Sequence, residues 1–238
     1  ELSLATKMAE NPAAVMTFLT DLSNHSKVVA EQDFDEIACF GSEALGLSSI
    51  QPWDVAYCAD RLKRHRFDLS DEDLRPYFPA QKVIDGLFEI VQRIFGVEVT
   101  PVTDMSVWHP DVTTYLIHRE GVPLARFYFD LYARAKKRGG AWMADCRCRR
   151  HDPAYGLTLP VAFLTCNFPP PVNDQPALLR HDDVVTLFHE FGHGLHHMLT
   201  QVDCASVSGI NGVAWDAVEL PSQFLENWCW DPDALNLI

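Results

Sequence analysis

Nowhere does the chain hold the roughly 20 consecutive apolar residues that a membrane-crossing helix requires. No basic start followed by an apolar run marks a secretory leader. Basic residues are scarce: 19 Lys and Arg stand against 33 Asp and Glu, a formal charge of −14. Such a composition offers no basic surface with which to displace counterions, which argues against nucleic acid and anionic membrane as main partners. The seven cysteines are an odd number without framework spacing, so they read as reduced thiols of a cytoplasmic protein rather than a disulfide scaffold. Cys146-Arg-Cys148 is too tight for a zinc-knuckle pair. Internal repeats and low-complexity linkers are missing. An initiating Met is also missing: the chain opens at Glu1 within what reads as a helix and stops at Ile238 after another, as a piece of something longer would.

What is there is a globular composition, 238 residues of which 47% are hydrophobic, enough to bury a substantial core. Residues 1 to about 95 read as helices. Leu4, Met8, Val15, Phe18, Leu19 and Leu22 recur at helical spacing, and Asn11-Pro12 marks a new start. Asp54 to Arg66 and Pro79 to Phe95 continue the pattern. In the latter, Val83, Ile84, Leu87, Phe88, Val91 and Phe95 form a stripe ended by Gly96. The texture then changes. Thr113 to His118 and Leu124 to Leu131 flank the turn Arg119-Glu-Gly121 and predict a hairpin. Leu159 to Cys166 is a third strand, stopped by Pro169-Pro-Pro171, and helix returns from Asp182. The expected fold is mainly α (α+β), with a small antiparallel-type sheet beside the helix that follows. Residues 1–100 form a helical region, and 101–238 hold the sheet and the site helices, within one continuous domain. Phe127 to Leu131 or Leu159 to Thr165 is either a free edge of that sheet, to which an extended peptide adds, or part of a buried structural hairpin.

The segment Asp182-Asp-Val-Val-Thr-Leu-Phe-His189-Glu190-Phe-Gly-His193 contains His-Glu-x-x-His. Val184, Phe188, Phe191, Leu195 and Met198 follow helical spacing, which places the motif on an amphipathic helix whose N-terminus Asp182 and Asp183 suit. One turn apart, both imidazoles can reach a single ion at about 2.0–2.1 Å. Glu190, about 100° around the helix, can accept a proton from water at that ion without being a ligand itself. The pattern points to zinc (Zn2+) and to hydrolysis by activated water. The third ligand is open at this level. Position 199 is Leu, which removes a histidine six residues after His193, and Asp203, Asp216, Glu219 and Glu226 remain. Glu219 and Glu226 lie two turns apart on one face if residues 215–228 are helical.

The stretch His189-Glu-Phe-Gly-His-Gly-Leu-His-His-Met-Leu-Thr200, followed by Val207 to Trp230 with its Glu219-Leu-Pro-Ser-Gln, resembles the thimet-oligopeptidase family of zinc metallopeptidases. Ser3-Leu-Ala-Thr-Lys-Met-Ala-Glu-Asn-Pro12, Gln51-Pro-Trp-Asp54, Leu74-Arg-Pro-Tyr-Phe-Pro79, Val107-Trp-His-Pro-Asp-Val112 and Lys137-Arg-Gly-Gly-Ala-Trp-Met143 extend the likeness over essentially the whole chain. The resemblance implies a zincin-like, neurolysin-like helical fold. It also implies Glu219 as third metal ligand beside His189 and His193, with Glu190 as general base in the endopeptidase cleavage of short peptides. Asp216 and Glu226 are then candidates to accept the other N–H of a ligating imidazole. The family's donors to the developing oxyanion lie C-terminal to the matched segment. A second reading therefore stands beside the first: a zinc-binding portion without turnover.

Overall fold

Asn11 opens the first long helix, as the Asn-Pro signal predicts. In the computed structural model, which describes residues 2–173 and 175–238, its side chain accepts a hydrogen bond from the Ala14 N–H at 2.9 Å. Pro12 occupies the first turn, where a missing N–H leaves no bond unmade. This helix, α1 (Pro12–Leu45), runs for 34 residues; α2 (Val55–Phe67) and α3 (Asp71–Leu74) follow. The chain divides into two compact units, Glu1–Asp73 and Leu74–Ile238. Within the first, Gly41 of α1 leaves the space taken by the side chains of Ile50 and Cys58. Most of the apolar residues of α1, among them Phe18, Leu22 and Val28, are exposed.

The second unit holds the core. Its first full helix, α4 (Ala80–Phe95), buries Val83, Ile84, Leu87 and Val91 of the predicted stripe, and Phe88 and Phe95 pack at the margin. Gly96 ends it at φ 64°, its N–H bonding the Gln92 carbonyl, a left-handed position that favours glycine. The strands are β1 (Glu98–Val102), β2 (Thr113–Arg119), β3 (Val122–Tyr132), β4 (Trp142–Arg147), β5 (Arg150–Asp152), β6 (Gly156–Thr158) and β7 (Val161–Phe168). β2 and β3 form the predicted hairpin, with Glu120 and Gly121 both at positive φ, as a two-residue turn between right-twisted strands requires.

The five-stranded sheet has the order β1-β2-β3-β7-β4, and β5 pairs with β6 in a separate ribbon. β3 and β7 run parallel while the other pairs are antiparallel, so the sheet is mixed rather than antiparallel throughout. A parallel pair needs a long crossover, and the segment carrying β4, β5 and β6 supplies it. The consequence decides against a free edge at either segment. β3 and β7 are paired on both sides, and among the described residues the edges are β1 and β4.

One face of the sheet carries an aromatic cluster. The Phe127 ring lies 5.0 Å from Tyr115, 4.9 Å from Phe129 and 5.4 Å from Phe191. Phe191 belongs to α5 (His181–Met198), so this packing seats α5 on the sheet. α6 (Leu220–Glu226) and α7 (Pro232–Leu235) follow. No helix among the described residues is long and apolar enough to cross a membrane.

Candidate metal centre

The start of α5 is fixed by Asp183, whose carboxylate accepts the Arg180 backbone N–H at 2.9 Å and is also approached by the Arg180 guanidinium. Two acidic residues in the first turn suit the positive end of the helix. Val184, Leu187, Phe188, Phe191, Leu195 and Met198 are all buried, each contributing about 1.5–3 kcal/mol. His189 and His193 lie on the opposite side of the helix, with ring centroids 4.9 Å apart and planes at 83°.

The expected helix over residues 215–228 is shorter. Residues 215–219 form turns and α6 begins at Leu220. Pro221 in the first turn accounts for the late start, since its ring cannot sit further inside a helix. Glu219 thereby stands at the end of a turn rather than on a helical face. Its Oε2 is 3.2 Å from His189 Nε2 and 3.0 Å from His193 Nε2. One ligand atom from each of the three lies within 4.8 Å of the others. The Ser222 hydroxyl donates to Glu219 Oε2 at 2.9 Å and is placed 2.8 Å from the Glu219 carbonyl. Glu226 Oε1 sits 2.6 Å from His189 Nδ1, while Asp216 lies in the exposed turn ahead of Glu219 and outside the three-residue group.

These atoms suit a cation by their chemistry. A neutral His189 that donates from Nδ1 to Glu226 carries a lone pair on Nε2, and that lone pair faces a carboxylate oxygen. Burial holds the His193 imidazole below its ordinary pKa, against the pull of Glu219. It therefore favours the neutral, lone-pair-bearing form that a metal ligand needs. Donors about 2.0–2.1 Å from a tetrahedral ion stand about 3.3 Å apart, close to the separations seen. Two nitrogens and one carboxylate oxygen are a donor set that zinc accepts.

Glu190 is buried beside this group. Burial pushes its carboxyl up from the usual range and Glu219 adds to the rise, while His189 and a hydrogen bond from the Met143 backbone oppose it. Met143 belongs to the edge strand β4, which therefore runs near the carboxylate. His197, one turn beyond His193, is fully buried with Nε2 2.9 Å from the Arg147 carbonyl, a packing position. Sequence reasoning missed Ser222 and the Met143 backbone. The first carried a signal, a hydroxyl three residues after the carboxylate; a backbone contact carries none.

Over residues 1–238 the chain matches peptidase family M3. It belongs to that family. Among the relatives, oligopeptidase A of Escherichia coli is 54% identical over 237 residues, covering 99% of this chain and 35% of the relative. Probable cytosolic oligopeptidase A of Arabidopsis thaliana is 43% identical over 243 residues, 99% and 34% of the two chains. Dipeptidyl carboxypeptidase of E. coli is 37% identical over 231 residues, 96% and 33% of the two chains. The chain spans about a third of the length of these curated M3 relatives. His189, Glu190, His193, Glu219 and Glu226 all fall within the matched M3 segment.

Proposed function

We propose that this M3 chain is the zinc-binding, catalytic portion of an endopeptidase that cleaves short peptides. The observation that carries the reading is the convergence of His189, His193 and Glu219 with the buried Glu190 beside them. Zinc, when held by those three side chains, supplies Lewis acidity, lowering the pKa of water to about 7 and polarising a carbonyl. Glu190 takes the proton of the attacking water and passes it to the leaving amine; a carboxyl raised above its ordinary range suits both transfers. Glu226 accepts the His189 Nδ1 proton and so fixes the tautomer and the ring orientation. β4, an edge of the sheet among the described residues, offers an extended peptide a strand to pair with near Glu190.

All seven cysteines are free, and burial pushes the Cys229 thiol up to about 12. Free thiols accord with a reducing, cytoplasmic setting. The Glu190→Gln variant is expected to keep its zinc and to lose about 10²- to 10⁴-fold in peptide hydrolysis. Metal analysis and a quenched-fluorescent peptide assay on one preparation check both halves, and full activity in that variant removes Glu190 as the base.

A second reading is a zinc-binding chain without turnover. Hydrolysis that a chelator abolishes supports the first reading; bound zinc without hydrolysis supports the second.

A further inference from the structure

We infer that Gly192 and Ser222 are positioning residues of the metal centre: Gly192 sets how closely α6 approaches α5, and Ser222 orients the Glu219 carboxylate once it is there. The inference rests on the reading of His189, His193 and Glu219 as zinc ligands. Gly192 lies inside α5 between the two histidines, where glycine is less favourable than alanine. A Cβ at this position would stand 2.6 Å from the Pro221 carbonyl oxygen and 2.6 Å from Ser222 Cα. Both are backbone atoms and cannot swing aside. The contact is therefore set by the absence of a side chain, and it falls two and three residues after Glu219.

Gly194, two residues on, provides the contrast. The three nearest atoms that a Cβ there would meet are the ends of the Leu164 and Met198 side chains, at 3.1–3.3 Å, and side-chain tips can yield. Ser222 is fully buried, and its hydroxyl reaches both the Glu219 carbonyl and Oε2. It holds the carboxylate by one oxygen, the same oxygen that lies 3.0–3.2 Å from the two imidazoles. A close backbone contact and a buried hydroxyl thus act on one ligand, neither touching the ion.

The test is zinc affinity by chelator competition on the purified protein, with far-UV circular dichroism reporting the fold without metal. Gly192→Ala is expected to bind zinc about 10- to 100-fold more weakly, and Ser222→Ala about 10-fold more weakly, the range typical of groups that support a ligand. Gly194→Ala is expected to match the unsubstituted protein. In a Glu219→Ala background both losses should vanish, because the ligand through which they act is gone. Unchanged affinity in Gly192→Ala overturns the inference. So does an equal loss in Gly194→Ala, or a loss that persists without Glu219. If Gly192→Ala does not fold, Ser222→Ala decides alone: parental affinity overturns the inference, and a loss confined to the Glu219 background supports it. Failure of the unsubstituted protein to bind zinc defeats the metal assignment itself, a result distinct from all of these.

Discussion

Two helices with the same kind of apolar spacing meet opposite fates in this chain. In the second unit, α4 buries Val83, Ile84, Leu87 and Val91 in a core shared with the sheet and α5. In the first, α1 carries Phe18, Leu22, Val28 and Val29 at exposed positions, and its one buried residue is Gly41. Helical periodicity says that a face exists; it does not say what covers it. The difference is one of layers, because α4 lies in a unit that has a sheet and α1 lies in one that has only helices.

The comparison breaks most readily at the aromatic cluster. Phe127→Ala removes a fully buried ring in contact with Tyr115, Phe129 and Phe191. It is expected to cost about 3–5 kcal/mol in urea unfolding of the second unit. A cost near zero there would erase the distinction between the units.

A smaller effect comes from Asp130, buried at the end of β3. Its carboxylate receives the Arg134 guanidinium at 2.5 and 2.8 Å, the Lys137 ammonium at 2.9 Å and the Trp108 N–H at 3.1 Å. Burial alone would raise its pKa, but these hydrogen bonds and the Lys137 charge together lower it to about 2. The folded value lies below the unfolded value of about 3.9, so the stabilisation is present above pH 4 and is lost as the pH falls towards 2. A loss of about 2 kcal/mol is expected across that interval. Acid titrations of Asp130→Asn, with near-ultraviolet circular dichroism as readout, should show a flatter dependence. An unchanged slope would place the acid sensitivity elsewhere.

The smallest effect belongs to α1. Phe18→Ala, at a position 66% exposed, is expected to change stability by no more than about 0.5 kcal/mol in the same urea experiment. A cost of several kcal/mol would mean that the face is covered in solution.

The sequence made the local features legible. Asn11 at a helix start, Gly96 at a helix end, the Glu120-Gly121 turn and the α5 stripe each depend on neighbours within a turn or two. His189, Glu190 and His193 were legible for the same reason. Long-range features were not. The parallel pairing of β3 with β7 depends on where a crossover returns, and β1 and β4 are too short to declare themselves by alternation. Pro221 marks the late start of α6, but the apolar spacing around it continues the helical pattern on both sides. The bond between Glu226 and His189 joins residues 37 apart in sequence, and spacing gave it no preference over Asp216. The resemblance, not the spacing, singled out Glu219.

The most direct test of the metal assignment is a zinc titration of the protein beside its His193→Ala variant, with bound metal counted per chain by native mass spectrometry. The assignment predicts one zinc per chain in the parent and none retained by the variant under the same conditions. A parent that takes up no zinc, or a variant that holds it equally well, would contradict it.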